Sequence, residues 1–411
     1  MFGFSKKEEA EAESRSIEDP RVPISNANII SFLGLGSETA AGEPVTLEAA
    51  LGVPAIWAAV NFIAGTMAGL PLHVYRRTRG GRERVTGRLA TMLHDAVNDE
   101  TTSFEWRKHI MECALTGGRG ISYIERGPTG AVENIWPIDP NNVTVIRKDG
   151  RKIYQSRDGK SVKTYAANEI IDLPYMLATD RLRAHSPIMT NREAVGMAIG
   201  VTKYGGRFFA NGGVPPFAIT GPFQSPGAMQ RAVEDLEAAV KKSAKDGRQA
   251  LAVPLGHEIK QIGSDPNKSQ MIESQRFVVE QISRIYSLPP TFLQDLTHGT
   301  FSNTEQQDLH FVKHTLKRWV EQFEQELNLK LFGRNSTTRF VEFNVDGLLR
   351  GDFKTRMDGY AQAVQNAIMK PSEIRERENL PATDGADVLL VQGATVPIGQ
   401  QPMEQPAEGD E

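Results

Sequence analysis

Two histidines one helical turn apart, His310 and His314 in HFVKH, come nearest in this chain to metal chemistry. Imidazoles at i and i+4 sit one above the other on a helix and can share a divalent cation, as in zincins. Zincins need a glutamate base directly after the first histidine, and here Phe311 stands there. One pair also supplies only two of the usual three or four ligands. A metal-dependent hydrolase using His310 and His314 is therefore kept as a rival to a plain solvated helix face. Asp346, Asp352 and Asp358 recur in FNVDGLLRGDFKTRMD. That spacing crosses a turn and a helix start, where capping and solvation account for carboxylates. Cys113, the only cysteine, sits in MECALTGG and reads as a small apolar filler at a helix end. No G-x-x-x-x-G-K-[ST] loop and no G-x-S-x-G elbow occurs in the sequence. The expectation is a non-enzyme with no catalytic residue, no metal and no cofactor.

The densest basic run is Lys241, Lys242, Lys245 and Arg248. It reads either as a helix C-terminus whose cations complement the dipole or as a docking surface for an acidic partner or DNA phosphates. The rest of the chain does not suggest a protein that coats nucleic acid. The 47 lysines and arginines are outnumbered by 51 acids, giving a net charge of −4 and an isoelectric point near 6.1. At 411 residues, 39% hydrophobic and 24% charged, the composition is that of two or three globular domains. A lone cysteine suits a reducing cytoplasm.

The elements that would position these residues follow from pattern. Residues 1–44 are charge-rich, lack the order of a signal peptide and are expected to be a disordered arm. Residues 392–411, rich in Gln, Pro, Gly and acid, are expected to be a disordered tail. VPAIWAAVNFIAGTMAGLPL (53–72) has the length of a membrane span and no formal charge. A membrane-associated α+β protein is thus a second rival reading. Pro54, Asn61, Thr66 and the alanines and glycines weaken it, and a helix buried on all sides is the alternative. Thr46 with Glu48 behind it predicts an N-cap. Helical spacing returns at 88–97 and at 103–116, the latter predicted to start at Ser103. Short strands with Asp-Gly turns at 149–150 and 158–159 follow, making the first half a mixed α+β domain.

Ser186-Pro187 predicts the start of a long helix through residue 211. A second long helix is predicted at 268–287, with a β-α-β module of about fifty residues, too small for a large core alone, between the two. A third helix is predicted from the capping box of Ser302 and Glu305, with the stripe Leu309, Val312, Leu316, Trp319, Phe323 and Leu327. A final helical pair follows, the second member starting at Pro371. Between the second and third helices lies PPTFLQDLTHGTFSNTEQQ (289–307), which contains no lysine or arginine. Helix connections usually need only about 2–8 residues.

Taken in order, these stretches resemble the portal proteins, or head–tail connectors, of tailed bacteriophages, in the branch typical of long non-contractile tails. The resemblance rests on VPAIWAAVNFIAGTMAGLPLHVYRR, FEWRKHIMECALTGGRGISYIER, VENIWPIDPNNVTV and HSPI followed by RFFANGGVPPFAI. It rests further on RFVVEQISRIYSLPPTFLQD, SNTEQQDLHFVKHTLKRWVEQFEQELN and MKPSEIRERENLPATDGAD. It covers about residues 45–390. Two places depart from the family: GGRG at 117–120, where Gly-Asn is usual, and His185-Ser186-Pro187, where Gly-Ser-Pro is usual.

The resemblance implies an α+β phage portal fold: an α+β wing (45–185), stem helices (186–213 and 266–288), a small β-α-β clip (214–265), a tunnel loop (289–305), a wing helix and strand (306–350) and a C-terminal helical crown (351–391). It implies a ring of twelve copies at one capsid vertex of the virion, assembled in the bacterial host cytoplasm. Double-stranded DNA would pass through it during packaging and ejection without sequence-specific binding. The implied partners are the chain itself, the large terminase ATPase, the major capsid protein and the head–tail adaptor, with no membrane. Lys241, Lys242, Lys245 and Arg248 would dock a clip partner. Asp295, His298, Gly299, Thr300, Phe301, Ser302 and Asn303 would face the DNA. A lysine or arginine there would release phosphate counterions and add friction at every step. His298 is the exception, since small environmental shifts would charge it near neutral pH.

Overall fold

The uncharged stretch 53–72 folds as a helix followed by the start of a strand. The Thr46 hydroxyl accepts the Ala49 N–H at 3.1 Å and opens a short helix, α1 (Leu47–Leu51). Pro54 then occupies the first turn of α2 (Pro54–Gly69), where its missing N–H costs nothing. By Leu72 the chain has entered strand β1 (Leu72–Thr78). Ile56, Ala59, Val60, Ile63, Ala64, Met67 and Ala68 are buried along one face, whereas Trp57 on the other is 60% exposed. The helix is thus buried on one broad face, not on all sides. No helix among the described residues is long and apolar enough to cross a membrane.

In the computed structural model the described residues are 39–390 without 160, 211–216, 224, 247–255, 262–267, 294–303, 337, 346–347, 349–352 and 379. The expected arm (1–44, apart from residues 39–44) and tail (392–411) lie outside them. The chain divides into two compact units, one up to Asn344 and one from Val345.

In the first unit, β1 pairs antiparallel with β2 (Gly81–Arg84) on one side and with β11 (Arg339–Phe343) on the other. Helices α3 (Arg88–His94) and α4 (Ser103–Thr116) follow. The cap of α4 is Thr102, not Ser103: Thr102 and Glu105 exchange capping-box hydrogen bonds, while the Ser103 hydroxyl is buried and donates to the Leu93 carbonyl. Both residue types can cap, and the glutamate three positions on selects Thr102. Helix α4 buries Trp106, Ile110, Met111, Ala114 and Leu115. Each such large side chain contributes about 1.5–3 kcal/mol of burial. The Trp106 indole N–H donates to Ser122 Oγ at 2.9 Å, so its polar atom is satisfied.

Strand β3 (Arg119–Arg126) lies between β4 (Val132–Ile138) and β8 (Ile170–Pro174). A separate meander joins β5 (Val143–Lys148), β6 (Arg151–Asp158) and β7 (Ser161–Ala166). Asp149 and Gly150 both have positive φ, 51° and 76°, the hairpin geometry that the Asp-Gly pair predicted.

One carboxylate ties these sheets together. Asp172 on β8 is buried, with Lys152 Nζ on β6 at 2.5 Å, the Tyr154 hydroxyl at 2.6 Å and Arg119 Nε on β3 at 3.0 Å. Glu326, on helix α10 described below, accepts the Asp172 N–H at 2.9 Å and pairs with Lys330 at 3.4 Å. Burial, followed by the neighbouring Asp172 charge, pushes the Tyr154 hydroxyl far above its usual range.

Ser186 caps α5 (Pro187–Thr190) by accepting the Met189 N–H. Asn191 breaks the predicted continuous helix, its side-chain amide donating to the Pro187 carbonyl, before α6 (Arg192–Ala210) begins. Strand β9 (Phe217–Thr220), helix α7 (Pro226–Asp246) and strand β10 (Glu258–Gln261) follow, the strands pairing antiparallel. Helix α8 (Lys268–Tyr286) packs against α6.

The third helix runs as α9 (Thr304–His310), a π-helical stretch (Phe311–Leu316) and α10 (Lys317–Phe332). The π turn carries an extra residue and shifts the helical phase. The predicted stripe holds from Leu316 onward, but Leu309 is 55% exposed and Phe311 and Thr315 are buried in its place. Residues of α10 also cover the free edge of β11. Asn328 exchanges two hydrogen bonds with the Val341 backbone, and Glu324 accepts the Phe343 N–H at 2.7 Å. Burial pushes the Glu324 carboxyl up to about 7.

In the second unit, α11 (Phe353–Gln365) and α12 (Pro371–Arg377) are tied by Glu378, which meets Arg356 at 2.9 Å and the Tyr360 hydroxyl at 3.2 Å. Pro371 stands in the first turn of α12, as predicted.

Candidate functional site

The cation-free segment is held at both ends by aromatic rings. Helix α8 ends at Ser287, whose φ of 54° is the left-handed turn that closes a helix, and the Leu288 N–H reaches back to the Ser283 carbonyl at 2.9 Å. Pro290–Leu293 then form a 3₁₀ turn. This turn places Phe292 against Phe62 of α2 and Phe311 of the π stretch, at centroid distances of 5.0 and 5.3 Å. Phe62 and Phe311 close the triangle at 4.9 Å. The 3₁₀ turn before residue 294 and the π stretch that follows α9 thus meet in one packed aromatic cluster. Asp295, His298, Gly299, Thr300, Phe301, Ser302 and Asn303 all fall in 294–303, outside the described residues, as does the predicted Ser302 cap.

Hydrogen bonds fix that base to the sheets. The Tyr286 hydroxyl donates to the Leu115 carbonyl at 3.1 Å, and the Tyr175 hydroxyl to the Ile285 carbonyl at 2.7 Å. The Thr315 hydroxyl donates to the Ser287 carbonyl, bridging α8 and the π stretch. Phe292 stands out in the sequence as an aromatic in a polar loop. Phe62 and Phe311 were missed as its partners, because only tertiary folding brings the three together.

His310 and His314 do sit together, with ring centroids 4.5 Å apart. They line an open cleft of about 670 Å³ with Glu280, Arg284, Pro290 and Gln307. Among the described residues no group of three or more His, Cys, Asp or Glu is placed to hold a metal ion. Asp346 and Asp352 lie outside the described residues, and Asp358 is on α11. Burial, with help from Asp139 and Glu112, pushes the Cys113 thiol up to about 12, which suits filler and not a nucleophile. Lys241, Lys242 and Lys245 lie on α7, and Arg248 is outside the described residues.

An α+β body carrying two long packed helices, with a β-α-β insertion between them and an anchored loop after them, is the construction of a head–tail connector. The sequence profile of the phage portal protein family matches residues 54–379. A probable portal protein of Streptomyces phage phiC31 is 29% identical over 374 residues, covering 86% of this chain and 80% of its own length. The portal protein of Enterobacteria phage HK97 is 25% identical over 357 residues, covering 85% of this chain and 84% of its own. Among solved structures, a chain from the neck of a native gene transfer agent particle, computed with C12 symmetry, matches with a TM-score of 0.55 at 17% identity. It covers 90% of this chain and 96% of that one, a likeness of fold. The chain belongs to the phage portal protein family.

Proposed function

We propose that copies of this portal protein form a closed ring of twelve at one capsid vertex, through which double-stranded DNA passes during packaging and ejection. In this reading residues 45–185 and 306–350 form the wing, 186–213 and 266–288 the stem, 214–265 the clip and 351–391 the crown. The twelvefold symmetry of the related neck supports the ring. Helices α6 and α8, packed together on either side of the β9-α7-β10 module, support the stem and clip. The ring meets the capsid protein at the wing. It meets the terminase ATPase and then the adaptor at the clip, with Lys241, Lys242, Lys245 and Arg248 as the docking cations. The terminase supplies the energy, since this sequence holds no nucleotide loop. The chain itself catalyses nothing.

The observation that carries the reading is the segment from Asp295 to Asn303, free of lysine and arginine, with the turn before it and the helix after it joined through the Phe62–Phe292–Phe311 cluster. A fixed base with a polar, glycine-bearing loop lets the DNA surface slide past. Each phosphate contact by a cation contributes about −0.9 to the salt slope of binding, and a ring multiplies it by the number of copies. Thr300→Lys is therefore expected to slow packaging several-fold in a single-particle packaging assay while rings assemble normally. Wild-type packaging by rings of that variant would contradict the low-friction reading.

A further inference from the structure

The β1–β2 hairpin concentrates positive charge outside the segment assigned to the channel. Arg76, Arg77, Arg79, Arg82 and Arg84 lie on it, and Arg339 of β11 lies opposite Arg76. Glu83 and Glu342 are the acids on these three strands. The patch thus carries a clear positive excess in a chain of net charge −4. Every residue from Arg76 to Arg84 is exposed, so the hairpin projects as a ribbon beyond buried Val74.

Its register keeps two like-charge pairs directly opposite each other, Arg77 with Arg82 and Arg76 with Arg339, an arrangement that weakens a sheet. Glu342 and the Tyr75 ring hold Arg82, and the Arg77 guanidinium lies 5.0 Å from the Phe340 ring centre. Arg76, Arg79, Arg84 and Arg339 make no ion pair with a described residue. Edge protection against aggregation would explain cations on β2, which is an edge strand. It does not explain Arg76 and Arg77 on the central strand. Behind the ribbon, burial and the nearby Arg84 lower the His73 pKa to about 4, so His73 is neutral near pH 7 and adds no charge to the cleft it shares with Arg84 and Asp95.

We propose that this arginine ribbon binds the phosphate backbone of double-stranded nucleic acid without regard to sequence. Arginines lie on both faces of a two-stranded ribbon, a shape the major groove of a duplex admits. The role is distinct from that of residues 294–303, which carry no lysine or arginine, and it does not require the ring.

The test is fluorescence anisotropy of a labelled 30-base-pair duplex, in two unrelated sequences, titrated with the full-length protein between 50 and 200 mM NaCl. Both duplexes are expected to bind equally, with a log–log salt slope of about −3 or steeper. In Arg76→Gln/Arg77→Gln/Arg79→Gln the slope should flatten by about 2–3 and affinity at 100 mM salt should fall at least tenfold. The comparator is Arg147→Gln/Lys148→Gln/Arg151→Gln on the β5–β6 hairpin, which removes the same charge and is expected to change affinity less than threefold. Equal losses in both variants would mean diffuse attraction and overturn the proposal. So would absence of duplex binding at 50 mM salt, or arginine-dependent binding of a polyglutamate peptide without duplex binding.

Discussion

Gly120→Ala is expected to destabilise the fold by about 3 kcal/mol or more, because the added methyl has no room. Gly120 pairs with Leu173 in the β3–β8 ladder, directly beneath α4. A Cβ built there would stand 2.1 Å from the Ile110 carbonyl oxygen and 2.5 Å from Ile110 Cγ1. The first obstacle is helix backbone and cannot rotate away. Relief requires lifting α4, which carries buried Trp106, Ile110 and Met111. Its neighbours provide an internal scale. Gly118 has φ +90° and its Cβ would meet the His185 carbonyl at 2.5 Å, so alanine there adds backbone strain to overlap. Gly117 has ordinary helical dihedrals and a nearest obstacle at 3.5 Å, so Gly117→Ala should stay within about 0.5 kcal/mol. Urea unfolding of the three variants checks the order. A Gly120→Ala protein as stable as Gly117→Ala would contradict this packing. The same geometry accounts for two of the glycines of GGRG, Gly120 beneath α4 and Gly118 where the turn out of α4 passes the segment leading to Ser186 at backbone contact.

Asp172→Ala is expected to cost about 3–5 kcal/mol, the loss typical when a buried ion pair keeps only one partner. Arg119 is the group left stranded. Its side chain is only 10% exposed, and although one guanidinium nitrogen donates to the Leu182 carbonyl, Asp172 is the carboxylate paired with it. Lys152 is more exposed and can turn to water. The Tyr154 hydroxyl would lose its acceptor inside the core. Asp172→Asn keeps the shape and one carbonyl acceptor, so it should lose less than alanine does. Pairing Asp172→Ala with Arg119→Met should recover part of the loss, since the two residues then no longer leave a lone charge. A loss under about 1 kcal/mol for Asp172→Ala, measured by urea unfolding, would show that β3, β6, β8 and α10 are joined by apolar packing alone.

Signals that act within a few residues were legible in the sequence. Thr46, Ser186 and Pro371 start helices because a hydroxyl or a fixed φ acts within one turn. Asp149-Gly150 turns because both positions accept positive φ. The order of strands, helices and β-α-β module could be read, and with it the family. What escaped depends on contacts between distant residues. Strand β8 carries four consecutive buried residues, so it shows no polar alternation to mark it. The π turn at Phe311–Leu316 has no local signature, and the stripe drawn through Leu309 ran out of phase before it. The aromatic base of the loop unites residues 62, 292 and 311, and the Asp172 network unites four elements. The cation-free loop could be read as composition, but its anchoring could not.

The two variants above test how one copy holds together, whereas the proposed function depends on how copies close. Mass photometry of the purified full-length protein at micromolar concentration, with negative-stain imaging of the same sample, tests that most directly. The expected result is one species near twelve times the 45.3 kDa chain mass, seen end-on as a ring with an open centre. Monomers alone, both in isolation and when mixed with assembling capsid protein, would contradict it.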